Sequence, residues 1–275
     1  MMEIKPGTKD YPELYGIYLP AADAKACIIF IHGLGDHISR YDEMASFFNE
    51  HNYSFTGVDL PGHGRSPGKR GHIKDFGHYR DIISSVARFV REREGGIPLI
   101  LYGHSLGGNI ALNYLQGDND FEKGIITSAW IKLAFDPPLF KVILASLAGK
   151  LVPSMQQPSG LNADDISSDR EAVHKYRTDP LVHPFISVRL YLSARAAAGK
   201  LISSKDTLKT PVLMMHSSND RIVSAEGSLI FAENNSKADL KIWDKGLHEL
   251  HNEVFREEVF IYIIKWLEQK DGIQN

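Results

Sequence analysis

The stretch Ile97-Pro98-Leu99-Ile100-Leu101-Tyr102-Gly103-His104-Ser105-Leu106-Gly107-Gly108-Asn109-Ile110-Ala111-Leu112 changes periodicity halfway along. Residues 97–102 form an unbroken apolar run, which predicts a strand buried on both faces. From 107 to 115 the apolar spacing is helical. Between them stands Gly103-His104-Ser105-Leu106-Gly107, with a glycine two residues either side of the serine. Such glycines let the chain turn sharply without Cβ clashes, which holds the serine in a strained conformation with its hydroxyl exposed above the sheet. The amides at the start of the following helix point at the same place, where negative charge would develop. Ser105 is therefore the candidate nucleophile.

Outward from this turn, short apolar strands alternate with helical segments. Strands are expected around 3–19 (a hairpin), 25–31, 53–59, 97–102, 121–130, 211–216 and 240–243. Helices are expected at 41–52, 75–94, 107–115 and 252–270. This alternation predicts an α/β chain with a mostly parallel central sheet flanked by helices on both faces. It breaks between 131 and 205, where strand-like runs are few. The expected organisation is a core of residues 1–130 and 206–275, interrupted once by a helical cap at 131–205. Within the cap, 138–151 is apolar around more than one helical stripe, with only Lys141 and Lys150 charged. An apolar surface of this kind suits a lipid or membrane-surface contact.

A serine hydroxyl attacks only when a base takes its proton. With a turn of this type, the acid and then the histidine follow in chain order, on loops beyond later strands. After 211–216 comes Ser217-Ser218-Asn219-Asp220, and after 240–243 comes Gly246-Leu247-His248-Glu249-Leu250-His251. Asp220 is the expected acid and His248 the expected base, with His251 a surface or helix-start residue. Asp220 would hold the imidazole in its working tautomer. The oxyanion would rest on two backbone N–H groups. One belongs to Leu106, directly after the nucleophile, and the other to Leu34, in the glycine-rich loop His32-Gly33-Leu34-Gly35-Asp36-His37. His32 is expected to brace that loop. His32, His37 and His63 lie near Asp36 and Asp59, but no pair has metal-site spacing, and such a triad needs neither metal nor cofactor.

Composition narrows the class further. Of 275 residues, 43% are apolar and 24% charged, ordinary values for a globular enzyme. The net charge of −3 is spread without a basic stripe, so nucleic acid is not an expected partner. Cys27, the sole cysteine, sits in an apolar strand and reads as a buried hydrophobe. The N-terminus lacks a signal-type apolar stretch, and no run reaches the roughly 18 apolar residues of a membrane span. A cytoplasmic protein, with at most peripheral membrane association, is expected.

His32-Gly33-Leu34-Gly35-Asp36-His37 with Arg40-Tyr41, the loop Pro61-Gly62-His63-Gly64-Arg65-Ser66, the 103–108 turn, Asp220 and Leu247-His248-Glu249 together resemble the monoacylglycerol lipase and lysophospholipase branch of the α/β-hydrolases. Asp179-Pro180-Leu181-Val182-His183 in the cap resembles that branch too. The family often has glutamate where Asp36 stands. The resemblance implies hydrolysis of a single-chain lipid ester such as monoacylglycerol, through an acyl-enzyme. It also implies a cap whose apolar face opens onto the acyl site, with Leu139, Phe140, Ile143, Leu144 and Leu147 as substrate contacts. A lysophospholipase, a general carboxylesterase, a thioesterase or a proline-type peptidase would share these motifs, whereas a non-catalytic ligand-binding relative would often lack one of Ser105, Asp220 and His248, all present here. Monomer and dimer both fit the sequence.

Overall fold

Every residue is buried in β3 (Ala26–Ile31), β4 (Tyr53–Val58), β5 (Leu99–His104) and β9 (Val212–Ser217). These strands form the centre of a computed structural model that describes residues 1–135 and 151–269. Their side chains alternate between two apolar layers. Cys27, Ile29 and Ile31 face one layer with Leu99, Leu101, Val212 and Met214, while Ile28 and Phe30 face the other with Ile100, Tyr102, Leu213 and Met215. Burial on both faces explains why the strands carry unbroken apolar runs rather than alternating ones.

Eight strands pair in the order β1-β2-β4-β3-β5-β6-β9-β10, with β1 at Met2–Ile4, β2 at Gly16–Leu19, β6 at Lys123–Thr127 and β10 at Ala238–Trp243. β2 pairs antiparallel with both β1 and β4 at one edge, and the other five pairs are parallel. Helices α1 (Asp42–Glu50) and α7 (Arg256–Leu267) cover one face through Met44, Phe48, Val259, Phe260 and Ile263. On the other face lie α2 (His78–Glu94), α3 (Leu106–Leu115) and α6 (Ala225–Glu233), which contribute Ile82, Val86, Ile110 and Phe231. The loops after β3, β5, β9 and β10 leave from one end of the sheet, where open α/β sheets bind ligands. The turn at Ser105 and the loops bearing Leu34, Asp220 and His248 all lie at that end.

Between β6 and β9 the chain leaves the main sheet. Its described part holds α4 (Arg170–Thr178), α5 (Val188–Ser203) and a ribbon in which β7 (Gln156–Pro158) pairs antiparallel with β8 (Phe185–Ser187). The ribbon corrects the purely helical expectation: three-residue strands leave no readable period. α5 docks on α3, where Asn109 Nδ2 donates to Ala194 O at 3.2 Å. Leu139, Phe140, Ile143, Leu144 and Leu147 fall outside the described residues. Among those described, no helix is long and apolar enough to cross a membrane.

The last helix starts at Arg256 rather than at 252, after a short 3-10 turn at Leu250–Asn252. The carboxylate of Glu253 halts it there, accepting from Leu247 N–H at 2.6 Å and Ser168 N–H at 3.0 Å. His251, expected at the surface or at the helix start, lies in that turn just before the helix and is 3% exposed, so the surface alternative does not hold.

Candidate active site

Ser105 joins β5 to α3 at φ 55°, ψ −116°, a left-handed conformation that strains a residue with a Cβ by about 1–3 kcal/mol. Three backbone hydrogen bonds hold it there. Its N–H donates to Thr127 O at 3.0 Å, and its carbonyl accepts from Asn109 N–H at 3.1 Å and Trp130 N–H at 3.0 Å. The glycines are needed because the turn has no room: a Cβ on Gly103 would lie 2.4 Å from Gly107 O, and one on Gly107 would lie 2.0 Å from Ile31 O.

The fold brings together the three residues expected from sequence. His248 Nε2 lies 3.0 Å from Ser105 Oγ, and His248 Nδ1 lies 2.7 Å from Asp220 Oδ2. With the carboxylate fixing the proton on Nδ1, Nε2 faces the hydroxyl as an acceptor. Asp220 Oδ1 accepts from the N–H groups of Ile222 and Val223 at 2.8 and 3.0 Å. Burial pushes the Asp220 carboxyl up, but the His248 charge and hydrogen bonds from His216 and His248 outweigh it, so the pKa falls below the usual carboxylate range. Burial likewise pushes His248 down, and the Asp220 charge and hydrogen bond outweigh that effect, with Glu249 and Asp36 adding to it. Its pKa is raised as a result.

Leu34 lines one pocket with Ser105 and His248, and Leu106 directly follows Ser105 in the chain. Leu106 opens α3, so its N–H has no acceptor one turn back. Leu34 N–H has no backbone acceptor among the described residues. The loop lies close against the serine, since a Cβ on Gly33 would be 3.3 Å from Ser105 Cβ. A small pocket at Ser105 and His248 is lined by the apolar Leu34, Leu161, Ile166 and Ile222 together with Asp36, His104, Tyr176 and Glu249.

Several supporting residues had no assigned role in the sequence. His216 Nε2 lies 3.2 Å from Asp220 Oδ2, and Ser128 Oγ donates to His248 O at 2.7 Å. Arg40 ties two loops together: its guanidinium donates to Asp36 at 3.0 Å and to both Glu249 oxygens at 2.9 and 2.7 Å. Burial raises the Glu249 pKa, but Arg40 outweighs it and brings the carboxyl down to about 2. Arg40 and Glu249 stood inside the quoted motifs, but their pairing spans 209 residues, beyond the reach of local spacing. His104, Glu249 and His251 have ligand-capable atoms within 4.8 Å of one another. Arg40 already occupies the carboxylate and brings a positive charge, so the group does not fit a cation. His32 holds its own loop, donating from Nδ1 to Gly33 O at 2.7 Å and accepting from Leu60 N–H at 2.9 Å.

A family model described as serine aminopeptidase, S33 matches residues 22–254. The chain is 32% identical to an uncharacterized abhydrolase domain-containing protein of Dictyostelium discoideum over 94% of its own length, and spans 28% of that protein's length. It is 31% identical to a monoglyceride lipase homolog of monkeypox virus, covering 90% of each chain. The crystal structure of Paleococcus ferrophilus monoacylglycerol lipase superposes with a TM-score of 0.85 at 29% identity, covering 93% of this chain and 98% of that one. The chain therefore belongs to the serine aminopeptidase S33 family of α/β-hydrolases, on its monoacylglycerol lipase branch, and is a hydrolase of the lipase and esterase type.

Proposed function

We propose that the protein cleaves the ester bond of a monoacylglycerol, or a similar single-chain lipid, to a free fatty acid and glycerol through an acyl-enzyme. Ser105 Oγ attacks the ester carbonyl while His248 Nε2 takes its proton. The oxyanion rests on the N–H groups of Leu34 and Leu106. His248 then protonates the leaving alcohol, and in the second half it activates the water that releases the acid. Asp220 stabilises the imidazolium in both steps.

The observation that carries this reading is the unbroken chain of contacts from Ser105 Oγ through His248 to Asp220, at 3.0 and 2.7 Å. The apolar residues of the pocket lining support the substrate class. Leu34, Leu161, Ile166 and Ile222 suit an acyl chain, while His104 and Tyr176 are polar side chains of the lining that Arg40 does not hold. The described part of the 131–205 segment acts as a cap at this pocket, where it contributes Leu161, Ile166 and Tyr176. Phe135, Leu151, Val152 and Met155 are exposed in it and suit transient contact with a lipid surface.

Initial rates on monoacylglycerols of increasing chain length, lysophosphatidylcholine, triacylglycerol, an acyl-CoA and an aminoacyl-proline amide test the reading. Preference for monoacylglycerol is expected, with turnover lowered about 10⁴-fold or more in Ser105→Ala. If only short activated esters were cleaved, the lipid assignment would fall while the triad stood.

A further inference from the structure

Leu34 N–H can meet an oxyanion only if its own peptide and the loop that follows it are held still. The Leu34 N–H shares a planar trans peptide with Gly33 C=O, so the direction of one sets the direction of the other. His32 Nδ1 fixes that plane by donating to Gly33 O at 2.7 Å. Two peptides further along, Gly35 O is fixed from outside the core: it accepts His183 N–H at 2.9 Å. No side chain separates the two segments. Gly35 has φ 75°, and a Cβ there would lie 2.3 Å from His183 O.

His183 is itself locked to the core. Its Nε2 lies 3.1 Å from Gly62 O, and its Nδ1 accepts Phe185 N–H at 3.2 Å. The second contact leaves Nδ1 bare, so the proton is on Nε2 and is donated to Gly62. The ring is 6% exposed and lies 4.8 Å from that of His63, which lies 5.3 Å from His32. A column of three histidines thus runs from the cap strap at 179–185 to the peptide that carries Leu34 N–H. A second tie joins the same two segments where His37 Nε2 meets Asp179 Oδ2 at 2.9 Å.

We infer that the strap at 179–185 forms one wall of the oxyanion site, and that His183 is the positioning residue that holds Gly35 and thereby aims Leu34 N–H. The inference rests on the reading of Ser105 and Leu34 proposed above. In consequence the cap does more than cover the acyl chain: its root is needed even for an ester too small to touch it.

The test compares His183→Ala, His183→Gln and Ser187→Ala in the full chain. Ser187 anchors the far end of the strap region, facing His72 Nδ1 at 2.9 Å, away from the oxyanion loop. Hydrolysis of 4-nitrophenyl acetate, phosphonylation by a fluorophosphonate and thermal melting are measured for each, below the melting point of the least stable variant. His183→Ala is expected to lower kcat on the acetate ester about 10–100-fold with KM little changed, and to slow phosphonylation in parallel. His183→Gln should recover most of the rate, because its amide nitrogen can reach Gly62 O as Nε2 does. Ser187→Ala should lower the melting temperature while leaving kcat in place.

An unchanged kcat on acetate in His183→Ala, or a loss of kcat in Ser187→Ala as large as in His183→Ala, overturns the inference. If His183→Ala fails to fold, His183→Asn takes its place, since its shorter amide cannot reach Gly62. Full activity in His183→Asn would be equally fatal. Ser105→Ala, run alongside, separates the two levels. Retained hydrolysis there would bring down the triad reading, whereas a dead Ser105→Ala with an indifferent His183 brings down only the strap.

Discussion

The strain at Ser105, the buried carboxylate of Asp220 and the imidazole of His248 form one electrostatic unit. Asp220 raises the pKa of His248, and His248 lowers that of Asp220. Only neutral His248 can accept the serine proton, so activity should fall as pH drops through a value above the ordinary histidine 6.5. Asp220→Asn removes the charge that raises it. The acid limb of the kcat/KM profile should then move to lower pH, while the maximum rate falls by about 10⁴-fold, as in other triads that lose the orienting carboxylate. A pH–rate series on both forms checks this, and an unmoved acid limb would show that Asp220 does not set the basicity of His248. Ser105, Asp220 and His248 were legible in the sequence because each lies in a short local pattern at a strand end. His251 was misjudged because its burial comes from Tyr41 and His104, whose rings lie 4.8 and 4.7 Å away but far off in sequence.

At the scale of elements, α3 can follow directly on Ser105, the proposed nucleophile, because it presses against the end of β3. Of its ten residues only Asn113 escapes burial, and Gly107 lets the first turn pass against Ile31 O and His32 O. Gly107→Ala should therefore push α3 off the sheet and misalign Leu106 N–H with it. A stability loss of about 1–3 kcal/mol or more is expected, with a loss of kcat beyond what unfolding explains. Urea unfolding and active-site titration on the same sample measure both, and a variant with wild-type kcat per active site would count against this role. The buried strands were the easiest elements to read, because burial on both faces writes an apolar run into each. β7 and β8 escaped notice, being three residues each, and the start of α7 depended on Glu253 reaching back to Leu247 and Ser168.

Across the whole molecule, burial keeps a set of histidines neutral. Desolvation lowers the pKa of His32, His63, His104, His183 and His251, the last two to about 4. In the unfolded chain each would protonate near 6.5. Between about pH 6.5 and 4 the unfolded state then binds more protons than the native one. Stability rises with pH in that window and is lost as pH falls, by up to about 1.4 kcal/mol per pH unit for each histidine. His248 works in the opposite sense: its raised pKa adds stability that is present below 6.5 and lost as pH rises through its folded value. Five groups outweigh one. The unfolding free energy should drop by at least about 3 kcal/mol between pH 7 and pH 5. Urea denaturation across that range checks the drop, and a flat profile would mean the histidines are not held neutral.

By itself the sequence determined the buried strands of the sheet and most of the helices between them, the strained turn at Ser105, and the loops that carry Asp220 and His248. Those features are written in spacing, and spacing is local. Only the tertiary structure decided which groups meet across the fold: Arg40 bridging Asp36 to Glu249, His216 beside Asp220, and His183 reaching from the cap to Gly35 and Gly62. These contacts join residues whose separation carries no period, and they exist because the sheet gathers its loops at one end. Packing then sets how far each charge is desolvated, and with it the protonation states on which the site depends.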